Sequence, residues 1–196
     1  MRFAFLSLGS KSLDRGDFLA TYDELKNALI GESLARNKYR KFAAVARKGG
    51  HFAIAKIFEE TSENEYEHAA MIMKLMGDFI GKDTADCLQK ALDGENHEWK
   101  EMYPGMRDVA KKEGKKDAAE YFGYVIVAEQ HHAKRYANLL NLLKTGKLYE
   151  SDKPEKWFCT NCGYIHTGNE APKECPNCKH EQGYFIRKCM LEYGEK

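Results

Sequence analysis

Apolar residues recur every three or four positions through four long stretches of the 196-residue chain, and then the pattern stops. The first stretch predicts a helix over 21–48, with Thr21 and Glu24 forming a capping box and Gly49-Gly50 ending it. Its inward stripe is Leu25, Ala28 or Leu29, Glu32, Ala35, Tyr39, Phe42 and Ala46. A second helix over 51–76 sets Ile54, Ile57, Phe58, Thr61, Glu65, His68, Ile72 and Leu75 on one buried face. The pattern breaks at 77–83 and resumes from about Thr84 to Lys112, with Leu88, Ala91, Glu95, Glu98, Met102, Met106 and Val109 inward. Pro104-Gly105 is expected to kink that third helix. The fourth runs over 117–144, bounded by Gly114 and Gly146, and turns Phe122, Val125, Glu129, His132, Tyr136, Leu139 and Leu143 inward.

Outside these helices the chain changes character. Residues 1–20 lack sustained periodicity and read as a surface lead. The polar run Ser151–Lys156 reads as a linker, giving a helical domain over 21–148, a linker over 149–156 and a small loop-rich domain over 157–196. The fold class is mainly α, a four-helix bundle followed by a small β/loop metal domain.

Every helical stripe is interrupted by carboxylates. Glu65-Tyr66-Glu67-His68 and Glu129-Gln130-His131-His132 each hold a Glu and a His three residues apart, on one helix face. A single Glu-x-x-His is ordinarily a solvated surface, and a single inward Glu can pair with a buried Arg. Two such motifs, joined by Glu32 and Glu95 on two further helices, match the recipe for a carboxylate-bridged di-metal centre in a four-helix bundle. Glu98 adds a fifth inward carboxylate. Five buried negative charges would oppose folding unless neutralised, and two ferrous ions nearly balance them. Oxygen-rich ligation with one imidazole per metal suits iron or manganese. Glu65 and Glu129 read as the bridging carboxylates, and Glu32 and Glu95 as caps on one metal each. Glu63, Glu67, His97 and His131 lie off the stripes and are expected at the surface. Tyr39 and Tyr103 read equally as core aromatics or as donors behind the ligands.

Four of the six cysteines form two Cys-x-x-Cys knuckles, Cys159/Cys162 and Cys175/Cys178, separated by 12 residues. Paired knuckles make a tetrahedral four-thiolate site, and their spacing alone leaves zinc and a single redox iron both open. Trp157, Phe158, Tyr164 and Phe185 are available as a small core around it. Cys87 and Cys189 read as packing or surface thiols.

The formal net charge of +1 gives no reason to expect nucleic acid or a membrane surface as partner. No apolar run approaches the roughly 18–20 residues that span a bilayer. The short apolar run at the N-terminus falls short of a signal sequence, and Asp14 and Asp17 disfavour a transit peptide. Metal-spaced cysteines then point to the cytoplasm.

Gly31-Glu32-Ser33-Leu34-Ala35-Arg36, Asn64-Glu65-Tyr66-Glu67-His68-Ala69, Gly94-Glu95-Asn96-His97-Glu98-Trp99 with Met102-Tyr103-Pro104, and Ala128-Glu129-Gln130-His131-His132 with Arg135-Tyr136 together resemble rubrerythrin. Trp157-Phe158-Cys159 through Cys178, including Cys162-Gly163-Tyr164, resembles the family's rubredoxin-like domain. The resemblance spans roughly residues 21–190 and leaves the longer N-terminal lead unexplained. It implies a ferritin-like bundle and a peroxidase that reduces hydrogen peroxide to water at a di-iron centre, protecting against oxidative stress. Electrons would come through an Fe(Cys)4 site, either from an external NAD(P)H-linked reductase or from a rubredoxin. Glu98 resembles the extra carboxylate that replaces His68 on one iron upon oxidation, and Tyr39 and Tyr103 resemble the tyrosines behind the ligands. The main rival is a ferroxidase for iron detoxification, which has no need of a four-cysteine redox domain. A zinc ribbon that binds a partner is a further alternative, but it lacks the basic stripe expected for nucleic acid.

In a ferritin-like bundle the second and third helices run parallel, so the break at 77–83 has to travel the bundle's length. It is too short to do so. The chain is therefore expected as a homodimer or higher homo-oligomer, domain-swapped between those helices. The resemblance further implies that the cysteine site of one chain lies near the di-iron site of its mate.

Overall fold

A computed structural model describes residues 15–191, apart from Asp78. Helix α1 spans Arg15–Lys48 and α2 spans Phe52–Met76. Helix α3 covers Thr84–His97, a π turn covers Glu98–Met102, and α4 continues over Tyr103–Lys112. Helix α5 covers Lys116–Lys144. Three strands follow, β1 over Glu150–Cys159, β2 over Ile165–Glu170 and β3 over Phe185–Arg187, in the antiparallel order β2-β1-β3. Among the described residues no helix is long and apolar enough to cross a membrane.

Two departures from the sequence reading concern element ends. The part of the expected lead before Arg15 lies outside the described residues, but α1 starts at Arg15 and places Thr21 inside the helix, so the Thr21–Glu24 capping box is not a helix start. Phe18-Leu19-Ala20 contain no breaker, and extending a helix is far easier than nucleating one. The expected linker Ser151–Lys156 lies within β1. Pro154, which cannot donate to a ladder, sits in the irregular stretch of the β1–β2 register between Glu150 and Glu155. Other ends agree closely. Asp83 caps α3 by accepting the Asp86 amide at 2.9 Å, and Gly50, Gly77, Gly114 and Gly146 leave their helices with positive φ.

The chain divides between Ile80 and Gly81 into two compact units, so the division falls inside the expected helical domain. In the first unit α1 packs on α2. On α1 the seam includes Leu29 and Ala46 of the predicted stripe, whereas on α2 the buried line differs from the predicted one. Ala55, Ser62, Ala69 and Met76 are buried at seven-residue spacing on α2, facing Leu29, Ala43 and Ala46 of α1. At its centre Ser62 Oγ donates to Arg36 O at 3.0 Å, showing how near the two backbones come. Arg40–Glu63 (2.6 Å) and Arg47–Glu59 (2.6 Å) pair across its exposed edge, where ion pairs contribute little.

The predicted stripe runs beside this seam and stays largely open. Ile54, Ile57 and Leu75 are 49%, 62% and 65% exposed, and Phe42 is 41% exposed. Small residues allow close helix approach, which is why Ala43, Ala55, Ser62 and Ala69 line most of the contact, with Leu29 and Met76 filling one end. In the second unit α3 and α4 pack on α5, burying Ala110, Ala119, Ala133, Leu140 and Leu142, while Met106 and Val109 remain exposed.

The kink expected at Pro104 takes the form of the π turn. Tyr103 N–H bonds Glu98 O, an i→i+5 bond, directly before Pro104 enters α4. Proline has no N–H and its ring crowds the carbonyl four residues back; a wider turn relieves both.

Candidate metal centres

The first triad stands on α1 and α2. His68 Nδ1 lies 2.9 Å from Glu65 Oε2 and 3.7 Å from Glu32 Oε2. The second stands on α3 and α5, with His132 Nδ1 2.6 Å from Glu129 Oε2 and 3.4 Å from Glu95 Oε2. Within each triad one ligand atom from every residue lies within 4.8 Å of the others, near enough for one ion. The two are built alike: the three-residue helical step aims a carboxylate and the imidazole Nδ1 at one point, and a neighbouring helix brings the second carboxylate.

Carboxylates at this spacing act strongly on one another. Glu65 holds the Glu32 carboxyl above its ordinary range by sharing a proton with it, and Glu65 is lowered in return by Glu32 and then by His68. His68 is raised, chiefly by its hydrogen bond to Glu65. Burial raises Glu95, followed by the adjoining Glu129 carboxylate. Glu95 Oε2 is buried without a hydrogen bond among the described residues. A buried bare oxygen beside a second carboxylate and an imidazole fits a cation in that space, and this oxygen-rich, single-imidazole donor set fits iron.

Glu98 belongs to neither triad. It opens the π turn half-buried, and its charge raises both Glu95 and Tyr103. Tyr103 is raised first by burial and then by Glu98 and Glu129, so it remains a neutral phenol, with its ring 6.0 Å from Phe122. Tyr39 stacks on Phe58 at 6.3 Å and tilts against Phe42 at 6.0 Å, an aromatic trio in the first unit. Of the residues expected at the surface, Glu63 and Glu67 are exposed, and His97 is exposed beside Glu101 at 3.3 Å. His131 is instead half-buried.

The cysteine site is closed by two matching knuckles. Gly163 N–H donates to Cys159 O at 2.8 Å and Lys179 N–H to Cys175 O at 2.9 Å, and both Gly163 and Lys179 adopt positive φ. Cys159 Sγ lies 3.8 Å from Cys178 Sγ, and Cys162 Sγ lies 3.7 Å from Cys175 Sγ. A disulfide requires about 2.05 Å. Metal–sulfur bonds of about 2.3 Å in a tetrahedron put sulfurs about 3.8 Å apart, the spacing found. Burial pushes the Cys159 thiol up to about 11, while the His180 backbone amide draws Cys178 down to about 5. Trp157, Cys159, Ala171, Cys175 and Phe185 form the core, with Tyr149 and Tyr164 packed on it. Trp157 Nε1 donates to Gly168 O at 2.9 Å. Phe158, the neighbour expected in this core, lies half-buried on the strand's other face. Cys87 is exposed and Cys189 half-buried.

Residues 23–140 match the family model described as rubrerythrin, and 157–186 match the rubrerythrin rubredoxin-like domain. The chain belongs to the rubrerythrin family. A putative rubrerythrin of Methanocaldococcus jannaschii is 38% identical, over 86% of this chain and 93% of its own length. The rubrerythrin of Nitratidesulfovibrio vulgaris is 38% identical, over 84% and 92%, and that of Porphyromonas gingivalis 39% identical, over 84% and 88%. A solved structure of nigerythrin in a mixed-valence state is 30% identical, covering 93% of this chain and 88% of that one, with a TM-score of 0.34. Rubrerythrins are di-iron oxidoreductases of oxidative-stress defence. Here the carboxylate and imidazole triads fit the di-iron site and the four cysteines the Fe(Cys)4 site.

Proposed function

We propose that this rubrerythrin reduces hydrogen peroxide to two waters, taking its electrons through the Fe(Cys)4 site from an external NAD(P)H-linked reductase or a rubredoxin. The observation that carries this reading is the presence of two equivalent Glu/His triads and a tetrahedral four-thiolate site on one chain. A storage protein needs the former and has no use for the latter. When bound, the di-iron centre supplies the two electrons that, with two protons, convert peroxide to water. Glu65 and Glu129 would serve as the shared carboxylates of such a centre, Glu32 and Glu95 as the outer ones, and His68 and His132 as its imidazoles. Glu98, whose charge reaches Glu95 and Tyr103, would be the further carboxylate available to replace His68. Tyr103, held neutral by burial and its acidic neighbours, keeps a hydroxyl proton to donate, and Tyr39 would play that part on the α1–α2 hairpin.

The test is anaerobic reduction, addition of stoichiometric peroxide and observation of the visible spectra of both iron sites. Oxidation of the di-iron site by one equivalent of peroxide, followed by growth of the ferric-thiolate absorption as the cysteine site passes on its electron, supports the reading. Faster turnover of ferrous iron with oxygen than of peroxide by the reduced protein would replace it with the ferroxidase reading.

A further inference from the structure

We propose that Arg135 and Arg187 clamp the four-cysteine domain along α5, so that the metal it holds keeps a fixed bearing on the helix that carries Glu129 and His132. Both are positioning residues. The inference deepens the electron-relay reading above and rests on it.

The near end of the clamp closes where the chain leaves α5. Gly146 turns out of the helix at positive φ, and Lys147 N–H bonds Leu142 O at 2.9 Å. In a free tether the carbonyls that follow would be left to water. Here Arg187 donates to Lys147 O at 2.9 Å and, through the same terminal nitrogen, to Glu150 O. Between them Tyr149 O accepts the Ala171 amide at 2.8 Å, and the Tyr149 ring packs on the cysteine core.

The far end closes nine residues back along α5, where Arg135 donates to Met190 O at 2.9 Å. At ~1.5 Å per residue, Arg135 stands roughly 14 Å from Lys144, the last residue of the helix. A single attachment would leave the domain a pivot. Two attachments this far apart on one helix remove it.

Both attachments act on one segment. Arg187 ends β3, and Lys188–Met190 follows as a 3₁₀ turn. Strand β3 is in register with the strand that leads to the first knuckle, Phe185 opposite Cys159 and Arg187 opposite Trp157. The Arg187 guanidinium also lies over the Trp157 ring, 5.3 Å from its centroid, and Trp157 is fully buried in one core with Cys159. A continuous run of contacts therefore leads from Cys159 through Trp157, Arg187 and Met190 to Arg135, one turn beyond His132. Guanidinium suits both places, since it keeps its charge and offers several donors in one plane.

Electron tunnelling falls steeply with distance, so a fixed mount gives one transfer rate where a swinging mount gives a rate gated by the swing. Two variants test the clamp: Arg135→Leu breaks the far attachment, and Arg135→Lys keeps the charge with fewer donors. Hydrogen exchange on the full-length, iron-loaded chain reads the clamp itself. In Arg135→Leu the amides of 188–191 should exchange about tenfold faster. Arg135→Lys should fall between that variant and the unaltered chain, and the knuckle amides of Gly163 and Lys179 should keep their protection in both. No change at 188–191, or an equal rise at Gly163 and Lys179, overturns the inference.

Stopped flow reads the consequence. Reduced protein is given one equivalent of peroxide, and the growth of ferric-thiolate absorption is timed with and without glycerol. For each electron passed, one ferrous thiolate iron becomes ferric and one ferric iron of the oxidised centre becomes ferrous. The unaltered chain should pass its electron at a rate that glycerol leaves alone. Arg135→Leu should be several-fold slower, and slower still in glycerol, with the cysteine-site potential unchanged. A glycerol-sensitive rate in the unaltered chain overturns the fixed mount. If the di-iron site is oxidised and no ferric thiolate grows, it is the relay reading that falls, and hydrogen exchange still decides the clamp.

Discussion

The imidazole Nδ1 of His132 lies 2.6 Å from Glu129 Oε2, one turn back along α5. The same step on α2 sets His68 Nδ1 2.9 Å from Glu65 Oε2. In each triad the carboxylates, held this close, are worse neighbours to each other than to the imidazole. Glu129→Gln is therefore expected to lower di-iron content sharply while leaving the thermal midpoint of the chelated protein unchanged or higher. Removing the Glu129 charge relieves Glu95, which both burial and Glu129 now hold above its usual range. Metal analysis and calorimetry on the same variant check both halves.

Metal uptake at the four cysteines should release protons and strengthen with pH. Cys159 is pushed up to about 11, so near neutrality it gives up a proton to become a ligand, whereas Cys178, drawn down to about 5, is already a thiolate. The sign follows: affinity climbs as pH rises toward 11, and below about 5 protonation of Cys178 adds to the competition and the site sheds metal. Titrating zinc into reduced, metal-free protein in buffers of different ionisation enthalpy measures the proton count directly.

Ser62 separates packing from hydrogen bonding in the α1–α2 hairpin. Its side chain is fully buried and bonds Arg36 O at 3.0 Å. Ser62→Ala loses one bond, at a cost of ~0.5–1 kcal/mol. Ser62→Leu has to push two closely spaced backbones apart and should cost ~1–3 kcal/mol. Chemical denaturation of the pair ranks them.

Lys179 holds φ +63° at the knuckle position that Gly163 occupies in the other knuckle. A side chain in this left-handed region costs about 1–2 kcal/mol, partly offset by the chain entropy a glycine adds to the unfolded state. Lys179→Gly should stabilise the metal-bound domain by ~0.5 kcal/mol, with its exposed pairing to Glu174 at 3.5 Å contributing little. Resistance to metal loss on heating is the readout.

The features that proved legible in the sequence are those tied to strong local chemistry. Asp83, Gly77 and Gly114 mark helix ends because their side chains or their freedom at positive φ act within a few residues. Glu65/His68, Glu129/His132 and the two cysteine knuckles were visible because metal ligation demands fixed spacing. The α1–α2 seam was hidden: Ala55, Ser62 and Ala69 carry little hydrophobic signal, while Ile54, Ile57 and Leu75 carry much and stay uncovered in the hairpin. Periodicity finds the greasiest face of a helix, and the closest contact here is made by the smallest residues. Strand β1 escaped because Pro154 and its charged neighbours look like a connector, and only the irregular register between Glu150 and Glu155 accommodates them.

The π turn has a consequence for how this helix tolerates change. In a regular coil of 3.6 residues per turn, positions eight apart lie about 80° from one another, and positions seven apart nearly coincide. By absorbing one residue, the loop of helix between Glu98 and Tyr103 makes an eight-residue spacing behave like seven, so Glu95 and Tyr103 look the same way. Straightening that stretch into an ordinary coil without removing a residue would swing the phenol about 80° away from Glu95. Local winding, at this point in the chain, is as much a part of the chemistry as the side chains are.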